Sequence, residues 1–435
     1  MSHTLNRRTF IQTGSVLTAS AMAGTMADIA WAQQQAQENP VRLAIVGVNG
    51  RGAANMNGCA AHGQVVALCD VDTNRATAAQ RRFPQARFYQ DYRQMLEQDN
   101  IEAVVVSTPD HTHAVVACAA MRAGKHVYCE KPLAHSVHEV RTMMQLAARH
   151  NVKTQMGTQI HAGDNYRRVV EIIQAGTIGP VRNVKVWVNR SPDPGMRAAE
   201  RTNPPRGLDY DLWLGPAPYR HYHPSHLHFN WRWWWDFGGG VLADMACHFM
   251  DLPHWALNLR TPTRVTAEGR VTHQAANRTP SLMQVNFEYA ARGDMPPVTI
   301  TWYHGAPRPS ITNNNVENYG FTSGVLFEGE RGNLAANYGS YRLLPENRFR
   351  NFTPPQQSIA RSIGHHREWV HAIRNNGNTT CNFDYSGSLA LTVLLGNVSY
   401  RCDEAIVWDN EAGRVTNTRT AGQYLRREYR DGWRL

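Results

Sequence analysis

None of the seven cysteines shows C-x-x-C spacing with another, and the count is odd: Cys59, Cys69, Cys118, Cys129, Cys247, Cys381 and Cys402. That argues against a zinc ribbon and against a fully oxidised disulfide framework, and leaves buried, reduced thiols as the expectation. The chain also lacks a lysine- or arginine-rich run. Lys and Arg total 45 against 35 acidic residues, a net charge of +10, yet they are scattered and no recognition motif accompanies them. No nucleic-acid partner is expected. Long apolar runs are missing too: the stretch from Thr18 to Ala30 is too short and too small-residued to span a bilayer. What remains is 435 residues, 42% hydrophobic and 18% charged, enough for two or three domains with their own cores.

The N-terminus reads Asn6-Arg7-Arg8-Thr9-Phe10-Ile11-Gln12, followed by a weakly apolar stretch and then Ala30-Trp31-Ala32. Twin arginines, a short apolar region and an A-x-A site in that order make residues 1–32 a Tat export signal. Residues 33–39 are polar and Gln-rich, a linker before the fold. The mature protein is therefore expected to be exported or periplasmic, without a membrane span.

From residue 40 the pattern changes. Val41 to Val46 is an apolar run of strand length, followed by Gly47-Val48-Asn49-Gly50-Arg51-Gly52 and then a helical segment. A second run, Val65 to Cys69, ends in Asp70. Strand, glycine-rich turn, helix, strand and acid follow in the order of a Rossmann unit. Glycines let the backbone approach a pyrophosphate, whose charge meets the free N–H groups of the helix N-terminus. Asp70 would accept hydrogen bonds from ribose hydroxyls and repel a 2′-phosphate, favouring NAD over NADP. The middle glycine of G-x-G-x-x-G is replaced by Asn49, a residue that tolerates positive φ. Further strands end at Ser107, before Thr108-Pro109-Asp110-His111-Thr112-His113, and at Glu130-Lys131-Pro132. In an open parallel sheet, ligands gather at these strand ends. The expected cofactor residues are Gly47, Asn49, Gly50, Arg51, Gly52, Asp70, Ser107, Thr108, Pro109, His111, His113, Glu130 and Lys131.

These segments, with Gly157-Thr158-Gln159 and the stretch from Gly238 to His248, resemble the glucose–fructose oxidoreductase / inositol dehydrogenase (Gfo/Idh/MocA) family. The resemblance covers nearly all of residues 40–410. It implies an α/β Rossmann domain, placed here at 40–157, and an α+β domain with a large, mostly antiparallel sheet at 158–435. It also implies that the sheet's outer face serves a homodimer or homotetramer. The sequence agrees independently: period-two runs at 181–188, 264–269, 282–289, 298–304 and 324–328 read as strands. Helical segments at 366–374 and 387–400 follow.

Asp244 and His248 are four apart and share one face of a helix. A carboxylate beside an imidazole would fix its tautomer and raise its basicity, which suits proton removal from an alcohol. By the resemblance, Lys131, Asp244 and His248 form a catalytic trio, with His248 as base, Asp244 as its orienter and Lys131 polarising the reacting oxygen. An inert surface pair, or two ligands of a metal, would show the same spacing, but no third ligand is evident and no metal is expected.

The segment from Tyr222 to Asp236 is rich in His and aromatic residues, and Trp231 and Trp235 could stack on sugar C–H faces or simply pack in a core. His223, His226 and His228 lack metal-ligand spacing. His161, Tyr166 and Arg167 are further substrate-contact candidates, and His365 and His366 could reach the site from the C-terminal part. The function expected is hydride transfer between a secondary hydroxyl of a sugar, glycoside or cyclitol and a nicotinamide cofactor. Three alternatives stay open: a glycoside hydrolase or lyase working through transient oxidation of the sugar ring, an enzyme that oxidises one sugar while reducing another, and a non-catalytic sugar-binding protein.

Overall fold

The computed structural model describes residues 39–191, 202–272, 277–305 and 321–435. The expected export signal lies outside the described residues, as does all but the last residue of the expected linker.

The first unit alternates strand and helix: β1 (Arg42–Val46), α1 (Arg51–Ala60), β2 (Gln64–Cys69), α2 (Thr73–Arg82), β3 (Arg87–Tyr89), α3 (Tyr92–Leu96), β4 (Ala103–Val106), α4 (Asp110–Arg122), β5 (His126–Cys129), α5 (Val137–Arg149) and β6 (Thr154–Met156). Its six strands run parallel in the order β3-β2-β1-β4-β5-β6. Leu43 to Val46 and Ala103 to Val106 are buried on both faces, as a parallel sheet covered by helices requires. The carboxyl ends of β1, β2, β4 and β5 therefore open on one edge. That edge is where the site forms.

The second unit contains α6 (Asp164–Gln174), β7 (Val181–Val188), α7 (Tyr210–Leu214), α8 (Gly240–Phe249), α9 (Asp251–Ala256), β8 (Arg264–Arg270), β9 (Leu282–Tyr289), β10 (Val298–His304), β11 (Gly324–Gly329), β12 (Gly332–Ala336) and β13 (Tyr341–Leu344). After these come α10 (His365–Arg374), α11 (Phe383–Cys402), β14 (Ile406–Asp409) and β15 (Arg414–Val415). Nine strands form one sheet in the order β13-β12-β11-β7-β10-β9-β8-β14-β15. The pairings are antiparallel except β7 with β10. Alternation sets the faces. Met283, Val285, Phe287 and Tyr289 are buried, as are Val298, Ile300 and Trp302, while the residues between them are half exposed. Each such large side chain contributes about 1.5–3 kcal/mol when fully buried.

α11 lies against this inner face, and Gly396 permits the contact. A Cβ there would come within 2.8 Å of Leu242 on α8 and 3.1 Å of Phe287 on β9. The C-terminal segments also return to the first unit. Trp369 and Val370 on α10 join the cluster of Leu43, Ile45 and Leu68, and Cys381 accepts a hydrogen bond from the Met156 backbone. The five strands expected from period two are β7 to β11, with ends shifted by at most a residue or two. α11 starts earlier than expected because the Asn382 side chain caps it. All seven cysteines are buried and free. Among the described residues, no helix is long and apolar enough to cross a membrane.

Candidate active site

A cavity of about 990 Å³ lies between the open edge of the first sheet and α8 with the segment preceding it. Its first wall is the turn after β1. Gly47 has φ 81°, and a Cβ there would strike the Ser107 carbonyl at 2.7 Å. Gly50 has φ 57°, with no atom within 4 Å of where a Cβ would stand, so the turn presents open backbone to the cavity. Gly52 faces the other way, since a Cβ would lie 1.9 Å from the Gly47 carbonyl. It serves helix-to-strand packing and does not line the cavity.

Asn49 was expected to survive at positive φ; the structure corrects this, because the left-handed positions fall to Gly47 and Gly50 and not to Asn49. Instead its side chain accepts from Gly50 N at 2.6 Å and donates to the Arg75 carbonyl at 3.0 Å, fastening the turn. The turn needs no glycine at position 49. Arg51 opens α1 beside it. Asp70 accepts from Val48 N and Asp72 N, both at 3.0 Å. Burial raises the pKa of its carboxyl, and those two N–H groups oppose the rise. A helix start, an unobstructed glycine and a cavity-lining carboxylate suit a dinucleotide, so the residues fit that group.

Ser107, Thr108 and Pro109 continue the wall, and His113 meets it through a contact of 2.8 Å with the Thr108 carbonyl. Burial pushes the His113 pKa down to about 4, so the ring is neutral. Glu130 forms the floor, where its Oε1 accepts from Asn55 at 2.9 Å and Gln159 at 2.7 Å.

At the far end, Lys131 donates to Asp244 Oδ1 at 2.7 Å and to the Asp244 carbonyl at 2.6 Å. Arg232 Nε donates to the same Oδ1 at 2.9 Å, and Arg190 Nη1 is 3.0 Å from Oδ2. Burial alone would raise the Asp244 pKa, but Lys131, Arg232 and Arg190 outweigh it and hold the carboxyl well below its ordinary range. His248 lies one turn along α8 and lines the cavity. Burial, with Lys131 nearby, pushes its pKa down to about 3, so the imidazole is neutral. Among the described residues no hydrogen bond joins Asp244 to His248. The expected orienting role of Asp244 toward His248 is thus corrected: three cations claim the carboxylate, and a neutral ring cannot compete with them.

The remaining expected residues divide cleanly. Trp231 lines the cavity, with the Arg232 guanidinium 4.2 Å from its ring centroid. His111 does not: it is fully buried, its Nε2 meets the Trp213 carbonyl at 2.8 Å, and its ring packs on Trp213 and Phe237. His161 is buried against Asp251 at 2.9 Å and stacks on Trp255 at 4.0 Å. Tyr166 is buried with its hydroxyl on the His248 carbonyl, and Arg167 donates to the Ala360 carbonyl. Trp235 stacks on Tyr400 beneath Arg401. These five are packing residues, corrected from cofactor or substrate contacts because other protein groups occupy their polar atoms or faces. His223 and His226 are also buried, whereas His228 lines the cavity 3.5 Å from Asp72. His365 meets the Met156 carbonyl and His366 meets Asn55. No group of three metal-ligating side chains occurs among the described residues.

Arg190, Asp110, Asn55 and Gln159 went unforeseen. Asp110 begins α4, and burial pushes its pKa up to about 7 against the pull of Lys131 and Arg232. Nothing in the local sequence marks Arg190, which follows β7 and reaches the site only through the fold. Phe229, half exposed at the cavity wall, lies beneath both Arg190 and Arg232.

Two family models match the chain. Residues 41–158 match "Oxidoreductase family, NAD-binding Rossmann fold" and residues 184–295 match "Oxidoreductase family, C-terminal alpha/beta domain". An inositol 2-dehydrogenase of Salmonella typhimurium is 32% identical over 118 residues, covering 27% of this chain and 35% of that one. A glycosyl hydrolase family 109 protein of a Shewanella species is 28% identical over 203 residues, 41% of this chain and 44% of that one. In both, the match spans only the smaller part of the relative's length. Among solved structures, the WlbA dehydrogenase of Bordetella pertussis, in complex with NADH and UDP-GlcNAcA, superposes with a TM-score of 0.62 at 18% identity. That superposition covers 85% of this chain and 99% of that one. At that identity the likeness speaks for the fold.

Proposed function

The chain belongs to the Gfo/Idh/MocA oxidoreductase family, and from that premise we propose that it moves a hydride between a secondary hydroxyl of a sugar, glycoside or cyclitol and NAD. The observation that carries the proposal is that one cavity holds both the glycine turn with Asp70 and the Lys131–Asp244 pair. When bound, the dinucleotide supplies the hydride acceptor or donor. Gly50 and the start of α1 would receive its diphosphate, and Asp70 its ribose hydroxyls.

Lys131, held by Asp244, polarises the reacting oxygen. His248, neutral and facing the cavity, takes the hydroxyl proton as hydride leaves the carbon. Its low proton affinity makes it a weak base, and the Lys131 ammonium compensates by stabilising the developing alkoxide. Trp231 and Phe229 offer apolar faces to a sugar ring, and Arg190 and Arg232 offer donors to its oxygens. Purified protein with NAD and a panel of sugars and cyclitols tests the reading: reduced nicotinamide should accumulate with at least one of them.

A second reading is favoured by the glycosyl hydrolase relative. The same residues could oxidise the ring transiently, acidify the adjacent C–H for elimination of the glycoside and return the hydride. Glycosidic cleavage with no net change in cofactor would support it over simple dehydrogenation. Tat export and a homodimer or homotetramer remain part of the proposal. They are tested by fractionation of expressing cells and by light scattering.

A further inference from the structure

The cavity does not stop at Asp70. It continues past the ends of β2 and β3, where its wall is made of Gln90, Asp91, Tyr92 and Trp433. The order along the sheet edge fixes what this extension can receive. A dinucleotide with its diphosphate at Gly50 and its ribose at Asp70 has only its adenine base left to place in that direction. Trp433 comes from the far end of the chain, and its position is built. Arg430 donates to Asp211 Oδ1 at 2.5 Å and to the Gly215 carbonyl at 2.6 Å. Tyr429 and Arg427 both donate to Glu139 Oε1, at 2.6 and 2.8 Å. Glu139 is itself fixed by the capping box that starts α5.

The segment that carries the indole is thus tethered to the first unit by Tyr429 and Arg427 and to α7 of the second unit by Arg430. Its centroid lies 6.3 Å from that of Tyr92, and the Arg93 guanidinium carbon is 4.9 Å from it. None of these contacts involves Lys131, Asp244 or His248.

We propose that the tail at 426–435 forms one wall of the adenosine site and that Trp433 packs its ring against the adenine base of the bound dinucleotide. The proposal rests on the cofactor reading above. A flat, electron-rich indole held in place by cation contacts offers a base an apolar face without a further ordering cost. Trp433 is a cofactor-binding residue contributed by a segment outside the Rossmann unit, and it contacts only the adenosine half.

The experiment measures affinities of full-length protein, Trp433→Ala and Trp433→Phe for NAD, ADP-ribose and nicotinamide mononucleotide. Trp433→Ala should weaken NAD and ADP-ribose alike, by at least about fivefold, and Trp433→Phe should recover most of the loss. Nicotinamide mononucleotide should bind all three proteins equally. Unchanged ADP-ribose affinity in Trp433→Ala, or an equal loss for nicotinamide mononucleotide, overturns the assignment while leaving the cofactor reading intact. Failure of the wild-type chain to bind either NAD or ADP-ribose overturns both.

Discussion

The Lys131 ammonium sits 2.7 Å from Asp244 Oδ1, across 113 residues of sequence. The same carboxylate is shared with Arg232 and Arg190, so one buried anion organises three cations around the end of the cavity. Asp244→Asn keeps the shape and removes the charge. Turnover should fall by about a hundredfold or more, within the range for loss of a preorganised electrostatic stabiliser, while NAD affinity stays close to wild type. Steady-state kinetics beside direct binding titration separates the two. A parallel loss in both quantities would mean that Asp244 supports the cavity as a whole.

In the proposed reading, Asp70 bears the choice between NAD and NADP. Asp70→Ala removes the negative charge that a 2′-phosphate would meet, so NADP affinity should improve relative to NAD by about tenfold. Titration with both nucleotides measures it. An unchanged ratio would place the adenosine ribose elsewhere.

Asp110 gives stability a pH dependence of known sign. Its carboxyl, pushed up to about 7, holds a proton in the folded chain that the unfolded chain releases near pH 4. Wild-type stability from this group is therefore greatest in acid. It declines as pH rises through that window and levels off above about pH 7. Asp110→Asn, neutral throughout, should raise the melting temperature clearly at about pH 8 and little at about pH 5. The difference should be on the order of a few kcal/mol. Equal effects at the two pH values would show that Asp110 ionises normally.

His161 belongs to a buried cluster with Asp251 and Tyr385, whose hydroxyl donates to Asp251 Oδ1 at 2.7 Å. His161→Ala removes one of the side-chain hydrogen bonds to buried Asp251, and chemical denaturation should report a loss of about 1–3 kcal/mol. Substrate KM should remain near wild type, because His161 does not line the cavity. A selective rise in KM would restore it as a contact.

Much of this arrangement was legible beforehand, and the physical reason is locality. Val41 to Gly52 carries its strand, turn and helix in consecutive residues. The alternation in 282–289 and 298–304 records directly which face is buried. Lys131 and Asp244 were identifiable because each ends or follows a recognisable local pattern. Failures came where a side chain's partner is remote. His161, Tyr166 and Arg167 look like site residues beside Gly157-Thr158-Gln159, and nothing local reveals that Asp251, the His248 carbonyl and the Ala360 carbonyl claim them. His111 is two residues from His113, yet about half a turn of helix sends one into the Trp213–Phe237 core and the other to the cavity rim. Arg190 and Trp433 enter the site only after the chain has folded.

The central claim is that Lys131 acts on an oxygen presented beside bound NAD. Single-turnover absorbance of wild type and Lys131→Ala, each saturated with NAD and mixed with a substrate from the sugar and cyclitol panel, tests it most directly. The account predicts that both proteins bind NAD with similar affinity and that only the wild type reduces it at a measurable rate. Reduction by Lys131→Ala at the wild-type rate, or a wild-type protein that binds no NAD, would contradict it.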